Sequence, residues 1–163
     1  MLIQQNLNGS SFFNRSWAEF KVGFNDSVGN YWLGNELLSQ LTANGRYKLR
    51  FDLQSRSNSN WYFAEYSTFL VLPEAFNYTL HVSGFSGNAG SDALRTQNGM
   101  MFTTYDRDND QRSSENCAVN NGGGFWYRAC ALCEVNTVRD DFSWEGLNGG
   151  KLLESSRMWL QRK

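Results

Sequence analysis

The chain has 163 residues, of which 40% are hydrophobic and 15% aromatic, and its formal net charge is −1. This length suits one domain with a core of its own. The near-neutral charge argues against a nucleic-acid or anionic-membrane partner, since both require a basic surface. No run of about 18 apolar residues could span a bilayer, and the first residues lack the regions of a signal peptide. We therefore expect a single domain over residues 1–163.

Two short helices are predicted in the first third of the chain, after an extended segment at residues 2–13. Ser16 and Glu19 form a capping box at the start of the first helix. Three aromatic residues then recur at spacings of three and four, which predicts one aromatic face in the core. They are Trp17, Phe20 and Phe24. The second helix covers residues 36–42 and stops at Asn44-Gly45.

Alternating apolar and polar residues predict antiparallel strands in the middle of the chain. The pattern is strict over residues 47–54 and recurs at residues 61–69 and 78–82. Because the helices would cover one side of this sheet, the predicted fold class is α+β. The only histidine, His81, lies in the third strand, and one ring cannot build a multi-histidine zinc site. Nothing in the sequence suggests the other members of a Ser-His-Asp triad around it.

The densest polar chemistry lies in an acidic run just before the cysteines. Asp106, Asp108 and Asp110 alternate, so several loop oxygens could turn toward one hard cation, for which Ca²⁺ is the natural candidate. The run is not an EF-hand loop, because the sixth and twelfth positions are Gln111 and Cys117 rather than Gly and Glu. The alternative interpretation is a solvated turn, since Asp and Asn favour turns by bonding their own backbone.

Several segments along the chain belong to one pattern. They are the acidic run with Asn116-Cys117-Ala118, the Gly-rich turn with Phe125-Trp126-Tyr127 and Cys130, Tyr31-Trp32-Leu33-Gly34-Asn35, the 78–94 segment and the 157–162 tail. Together they resemble the fibrinogen-related domain, the globular module of fibrinogen chains, ficolins, tachylectin-like proteins, tenascins and angiopoietins. The resemblance implies the fibrinogen C-terminal globular fold, in which an antiparallel sheet and short helices precede a loop-rich calcium- and ligand-binding part, here residues 102–163. The family's N-terminal subdomain has no counterpart, so we expect a truncated or divergent member, or a chain that begins late.

The resemblance also implies a calcium site. Its ligands would be the side chains of Asp108 and Asp110 and the main-chain carbonyl groups of Arg112 and Ser114, while Asp106 would support the loop. The ion would shape the loop that leads into the ligand pocket and would take no part in catalysis.

Three cysteines all lie between positions 117 and 133, so one is left over if a disulfide forms, and spacing alone does not say which. The resemblance implies a bond between Cys117 and Cys130, which argues for a secreted protein. It also implies a cis peptide bond between Ala129 and Cys130. Cys133 would then be free or would pair with another chain.

The ligand site implied by the resemblance involves five residues: Asn120, Asn121, Trp126, Tyr127 and Ala131. Acetyl-binding relatives have His at the position of Ala131 and an aromatic residue at that of Asn121, and their segment before Trp144 is longer. The fibrinogen polymerisation pocket has Gln and Asp at the positions of Asn120 and Asn121. A cationic peptide terminus would therefore lose its carboxylate partner here, unless Asp140 or Asp141 replaces it. The aromatic residues 125–127 are expected in the core or in the pocket wall.

Two functions stay open at this point. The first is a calcium-stabilised, non-catalytic, secreted recognition domain that binds glycans, as a lectin does, in innate defence or adhesion. The second is a module that binds a receptor or matrix protein. A metal hydrolase built on the acidic run is disfavoured, because the motif supplies neither an open metal position nor a placed base. Glycosylation sequons at Asn14 and Asn77 agree with secretion, and oligomerisation would come from sequence outside this chain.

Overall fold

The computed structural model describes residues 1–163. The strands are β1 (Leu2–Leu7), β2 (Phe24–Asn25), β3 (Tyr31–Trp32), β4 (Tyr47–Ser55), β5 (Trp61–Val71), β6 (Leu80–Gly87), β7 (Cys133–Glu134), β8 (Ser143–Trp144) and β9 (Leu153–Arg162). The helices are α1 (Trp17–Val22), α2 (Asn35–Thr42) and α3 (Cys117–Asn121), with short 3₁₀ turns at Ser11–Phe13 and Glu74–Phe76. Seven strands form one sheet in the order β2-β3-β1-β9-β4-β5-β6, while β7 pairs with β8. All these pairings are antiparallel, which confirms the α+β class.

The predicted helices and middle strands are confirmed, with small shifts at their ends. The capping box of α1 forms, because the Ser16 hydroxyl accepts the Glu19 N–H and the Glu19 carboxylate accepts the Ser16 N–H. The third middle strand begins at Leu80 rather than at residue 78. The reason is a turn at Asn77 and Tyr78, both of which have a φ of +51°.

The largest difference from the sequence prediction is the last strand. The resemblance covers only the tail at residues 157–162, but β9 begins at Leu153 and lies in the centre of the sheet, between β1 and β4. Its register places Met158 opposite Phe51 and Leu160 opposite Leu49. Buried Ser155 and Ser156 interrupt the apolar alternation of this strand, so the sequence pattern underestimates its length.

One hydrophobic core joins the sheet, the helices and the loop-rich part. It contains 33 buried residues, among them Leu49, Phe51 and Leu53 of β4, which are fully buried as their alternation predicted. Phe51 of the sheet contacts Trp144 of the loop-rich part in this core, because their ring centroids are 5.1 Å apart. Residues 102–152 of the loop-rich part therefore share the core of the sheet, whereas residues 153–162, predicted to belong to the loop-rich part, form strand β9 of the sheet itself.

Buried amide side chains attach the loop-rich part to β1. Gln4 Nε2 donates to the carbonyl oxygen of Val135 at 3.0 Å and to Asn136 Oδ1 at 3.1 Å. Asn136 Nδ2 in turn donates to the carbonyl oxygen of Gly124 at 3.0 Å. Asn6 Nδ2 donates to the carbonyl oxygen of Val135 at 2.9 Å. Because these groups are buried, each hydrogen bond satisfies a polar atom that water does not reach.

Candidate functional site: acidic loop and adjoining cavity

The acidic loop brings two carboxylates together immediately before α3. Asp108 accepts the N–H of Asp110 at 3.1 Å. The Asp110 carboxylate accepts the N–H of Arg112 at 2.7 Å and that of Cys117, the first residue of α3, at 2.8 Å. Burial raises the pKa of Asp110, and the charge of Asp108 raises it further against the effect of the two N–H donors. The loop therefore concentrates negative charge around Asp110.

The donor set of this loop fits Ca²⁺. Neither Asp108 nor Asp110 takes part in an ion pair. The carbonyl oxygens of Arg112 and Ser114 accept no hydrogen bond from a backbone N–H, so they are free to face an ion. Oxygen-only ligands of this kind are those that Ca²⁺ prefers. Nowhere in the chain do three His, Cys, Asp or Glu side chains converge on a possible metal position, so a site here would depend on these carbonyl groups.

Asp106 belongs to the acidic loop, and its carboxylate contacts the first residue of α1. Its carboxylate accepts the N–H of Trp17 at 2.9 Å and the hydroxyl of Thr104 at 2.7 Å. The neighbouring Arg107 guanidinium stacks 4.0 Å from the centroid of the Trp17 ring. These contacts attach the acidic loop to α1 and agree with the supporting role expected for Asp106.

A disulfide joins Cys117 of α3 to Cys130, as expected, with the two Cα atoms 5.5 Å apart. The peptide bond between Ala129 and Cys130 is cis, which confirms the second expectation for this segment. Cys133 is free and buried, and burial raises the pKa of its thiol. A pairing of Cys133 with another chain would therefore require this thiol to become exposed.

A cavity of about 270 Å³ opens beside the disulfide. It is lined by Thr96, Arg128, Ala129, Cys130, Ala131 and Leu132. The cavity wall is joined to the acidic loop, because the Gln111 N–H donates to the carbonyl oxygen of Arg128 at 2.8 Å. Arg128 is exposed and forms no ion pair. The cavity therefore combines small apolar groups with one hydroxyl and one guanidinium, whose Nε donates to Gln111 Oε1 at 3.4 Å.

Of the five predicted ligand residues, only Ala131 lines this cavity. Trp126 and Tyr127 are 1% exposed and belong to the core. The indole N–H of Trp126 donates to the carbonyl oxygen of Tyr78, and the Tyr127 hydroxyl donates to that of Gly123, both at 2.7 Å. Their role as ligand contacts stays a prediction that this burial does not favour.

The two predicted asparagines lie at the end of α3, on the polar surface. Asn120 Nδ2 donates to Glu115 and Asn121 Nδ2 to Glu134, both at 2.8 Å. Burial raises the pKa of Glu134 to about 7, with a further contribution from the charge of Asp141, while the Asn121 amide opposes the shift. Neither asparagine lines the cavity, so both also stay predictions as ligand contacts.

Four cavity residues did not stand out in the sequence: Thr96, Arg128, Ala129 and Leu132. Three of them flank Cys130, so their proximity to the disulfide was available as a signal. Thr96 comes from a turn more than 30 residues earlier, and no local pattern marks it.

The C-terminal globular domain model of fibrinogen β and γ chains matches residues 1–152. The chain is a member of this fibrinogen family. Members are generally non-catalytic binding modules, so this fibrinogen-like domain is assigned to recognition. None of its helices combines the length and hydrophobicity that crossing a membrane requires.

Three relatives show the range of the similarity. Bovine microfibril-associated glycoprotein 4 is 39% identical over 140 residues, covering 83% of this chain and 54% of that protein. Human ficolin-3 is 40% identical over 136 residues, covering 83% and 45% respectively. The fibrinogen-like globe domain of human ANGPTL2 superposes with a TM-score of 0.89 at 36% identity, over 99% of this chain and 79% of that one. The chain spans about half the length of these curated relatives.

The two predicted glycosylation sites differ in accessibility. Asn14 is exposed, whereas Asn77 is half-buried and its Oδ1 accepts a hydrogen bond from the Arg107 guanidinium at 2.5 Å. Modification of either residue stays a prediction, and Asn14 is the more accessible of the two.

Proposed function

We propose that this fibrinogen-like domain is a calcium-stabilised, secreted recognition module that binds acetylated sugars without catalysis, in defence or adhesion. The observation that carries the proposal is the cavity beside Cys130, whose wall is hydrogen-bonded to the acidic loop. A disulfide persists mainly in oxidising compartments, which supports an extracellular location. Assembly into oligomers would depend on sequence outside this chain.

In this proposal Ca²⁺ would be held by the side chains of Asp108 and Asp110 and the carbonyl groups of Arg112 and Ser114. The ion supplies positive charge that balances the two carboxylates. The chain links this ion site to α3, because the Asp110 carboxylate also accepts the N–H of Cys117, the first residue of that helix.

The cavity offers the contacts that an acetyl group needs. Ala129, Ala131 and Leu132 supply apolar surface for a methyl group, and the Thr96 hydroxyl and the Arg128 guanidinium are donors for a carbonyl or hydroxyl oxygen. Because Ala131 stands where acetyl-binding relatives have His, the terminal nitrogens of Arg128 would take over polar recognition, while its Nε donates to Gln111.

The second candidate function is binding of a receptor or matrix protein. It is favoured by the change at Ala131 and by the similarity to microfibril-associated glycoprotein 4, whose name places it on an extracellular protein assembly. The same cavity would then accept a side chain or a terminus of that partner.

The test is retention of the pure domain on an N-acetylglucosamine matrix in the presence of calcium. We expect both a chelator and free sugar to release it. Asp108→Asn should abolish calcium-dependent retention, because it removes one of the two carboxylates. Asp140→Asn is the matched control, since it changes the same charge on an exposed residue outside the acidic loop, and it should be retained like the parent.

Failure to bind the matrix by a folded domain that takes up calcium in a direct titration would contradict sugar recognition. In that case the protein-binding alternative becomes the leading function, and immobilised extracellular proteins replace the sugar matrix.

A further inference from the structure

The cavity beside the disulfide is the first of three that lie side by side. A second cavity, of about 280 Å³, shares Ala131 and Leu132 with the first. A third, of about 330 Å³, shares Lys151 with the second and ends at Arg56 and Ser57. We call this row of three adjoining cavities, from Arg128 to Arg56, the basic groove.

Basic side chains recur along the basic groove, and two of them lack acidic partners. No carboxylate lies within 4.0 Å of the side-chain nitrogens of Arg128 or Lys151. Arg56 Nε is 4.0 Å from Glu154, the longest ion pair of the chain. Arg128 and Lys151 therefore carry most of the positive charge of the groove, because the Arg56 guanidinium also donates to the carbonyl oxygens of Leu153 and Arg139.

Two acidic residues reduce this charge only in part. Glu145, which lies in the wall of the second cavity, forms an ion pair with Arg95 at 2.6 Å. Glu134 is in electrostatic reach of Lys151, but burial raises its pKa to about 7, so it is only partly ionised near neutral pH. Neither residue provides Lys151 with a direct partner.

Hydroxyl groups alternate with the cations. Thr96 lies in the first cavity with Arg128, Ser143 in the second with Lys151, and Ser57 in the third with Arg56. The Ser57 hydroxyl donates to the carbonyl oxygen of Gly149, so it offers a ligand only an acceptor. Side-chain hydroxyls can donate to and accept from sugar hydroxyls, and cations form charge-assisted bonds with carboxylates or sulfates. A ligand that matches this series must itself alternate hydroxyl and anionic groups over an extended length.

We propose that the basic groove binds a linear, polyanionic glycan in which N-acetylated sugars alternate with acidic ones. This inference rests on the proposed function, because it places the acetyl group in the first cavity. The anionic groups of successive sugars then lie against Arg128, Lys151 and Arg56. The negative charge can come from carboxylate or from sulfate, and the experiment separates these sources.

The experiment is calorimetric titration of the calcium-loaded domain with four probes. They are a hyaluronan octasaccharide (carboxylate only), a chondroitin sulfate octasaccharide (carboxylate and sulfate), a neutral N-acetylglucosamine oligomer and poly-glutamate. We expect at least one acidic glycan to bind about tenfold more tightly than the neutral oligomer, and the advantage to shrink as salt screens the charges. A larger gain with the sulfated octasaccharide would assign the cations to sulfate, and equal binding of both would assign them to carboxylate.

Single substitutions locate the binding site. Arg128→Ala and Lys151→Ala should each weaken binding of the acidic octasaccharide about tenfold, because each removes one charge-assisted contact. Arg46→Ala is the matched control: Arg46 is exposed and lies at the opposite end of β4 from Arg56, so its loss should leave affinity unchanged. Thermal unfolding of each variant checks that it is folded.

The outcomes separate this inference from the proposed function. Binding of the neutral oligomer with no gain from charge, and no loss in Arg128→Ala or Lys151→Ala, would overturn the groove assignment while sugar recognition stands. Groove-dependent binding of acidic glycans without any binding of the neutral oligomer would keep the groove and reject simple acetyl recognition. Binding of poly-glutamate as tight as that of the glycans would reject a glycan ligand in favour of an acidic peptide.

Discussion

The sheet and the loop-rich part of this domain satisfy their backbones in different ways. In the sheet, pairing between strands satisfies the backbone groups: all nine residues of β4, for example, pair with residues of β9. In the loop-rich part, side chains take over that function: the Asn109 amide donates to the carbonyl oxygen of Phe102, and the Asn116 amide to that of Thr104. A ladder tolerates many sequences, whereas a loop held by individual amides depends on those particular residues. Most residues of the cavity beside Cys130 lie in the loop-rich part, where a single substitution can remove a hydrogen bond that holds one loop.

The largest effect in the loop-rich part should follow removal of the disulfide. The bond joins residues 13 positions apart, and closing a loop of this size contributes about 3 kcal/mol in the chain-entropy treatment. We expect the Cys117→Ser, Cys130→Ser double variant to lose about that much stability in urea unfolding.

The comparison predicts where that loss appears. Hydrogen exchange of the double variant should accelerate in residues 102–130 before it does in β4 and β9. Uniform acceleration across both regions would show that the loop-rich part has no separate local opening, and the contrast between the two regions would fail.

A medium effect is expected from Asn136→Ala, which removes the amide between β1 and the Gly-rich turn. The substitution leaves the buried carbonyl group of Gly124 without its donor and removes one acceptor of the Gln4 amide. An unsatisfied buried group costs about 1–3 kcal/mol, so we expect a destabilisation of about 2 kcal/mol in denaturant unfolding. Asn120→Ala, which removes an exposed amide, should change stability by less than about 0.5 kcal/mol.

The last effect is a pH dependence at Glu134, which is present only in part of the pH range. Its pKa is raised from the usual 4.5 to about 7, so the unfolded chain loses this proton first as the pH rises. As far as this group is concerned, the free energy of unfolding is highest below pH 4.5 and falls as the pH rises through about 7. Glu134→Gln keeps an acceptor for the Asn121 amide without the charge. It should therefore raise stability by about 2 kcal/mol at pH 8 and leave it unchanged at pH 4.

Urea unfolding of the parent and of Glu134→Gln at the two pH values measures this difference directly. An equal effect of the substitution at pH 4 and pH 8 would assign it to packing rather than to the buried charge.

The same contrast explains how much the sequence predicted. Strands β4 and β5 and helix α1 were predictable, because their apolar periods and the Ser16 cap are local signals. The acidic run stood out by its alternating aspartates, but its ligand set and the disulfide pairing came from resemblance, since spacing alone does not determine them. The cavity was predicted only in part. Ala131 was predicted as a ligand residue, whereas Thr96 is distant in sequence and comes to the cavity only in the tertiary structure. Trp126 and Tyr127, adjacent to the cavity in sequence, have their side chains in the core.

The central position of β9 has a consequence for the order in which the chain can fold during synthesis. Without residues 153–162, the strands divide into two separate groups, β1 to β3 on one side and β4 to β6 on the other. Within this domain β9 is the last strand to be synthesised, so the two groups of strands keep unpaired edges until residues 153–162 have emerged from the ribosome. The sheet of this domain can therefore be completed only after every other element of the domain has been synthesised.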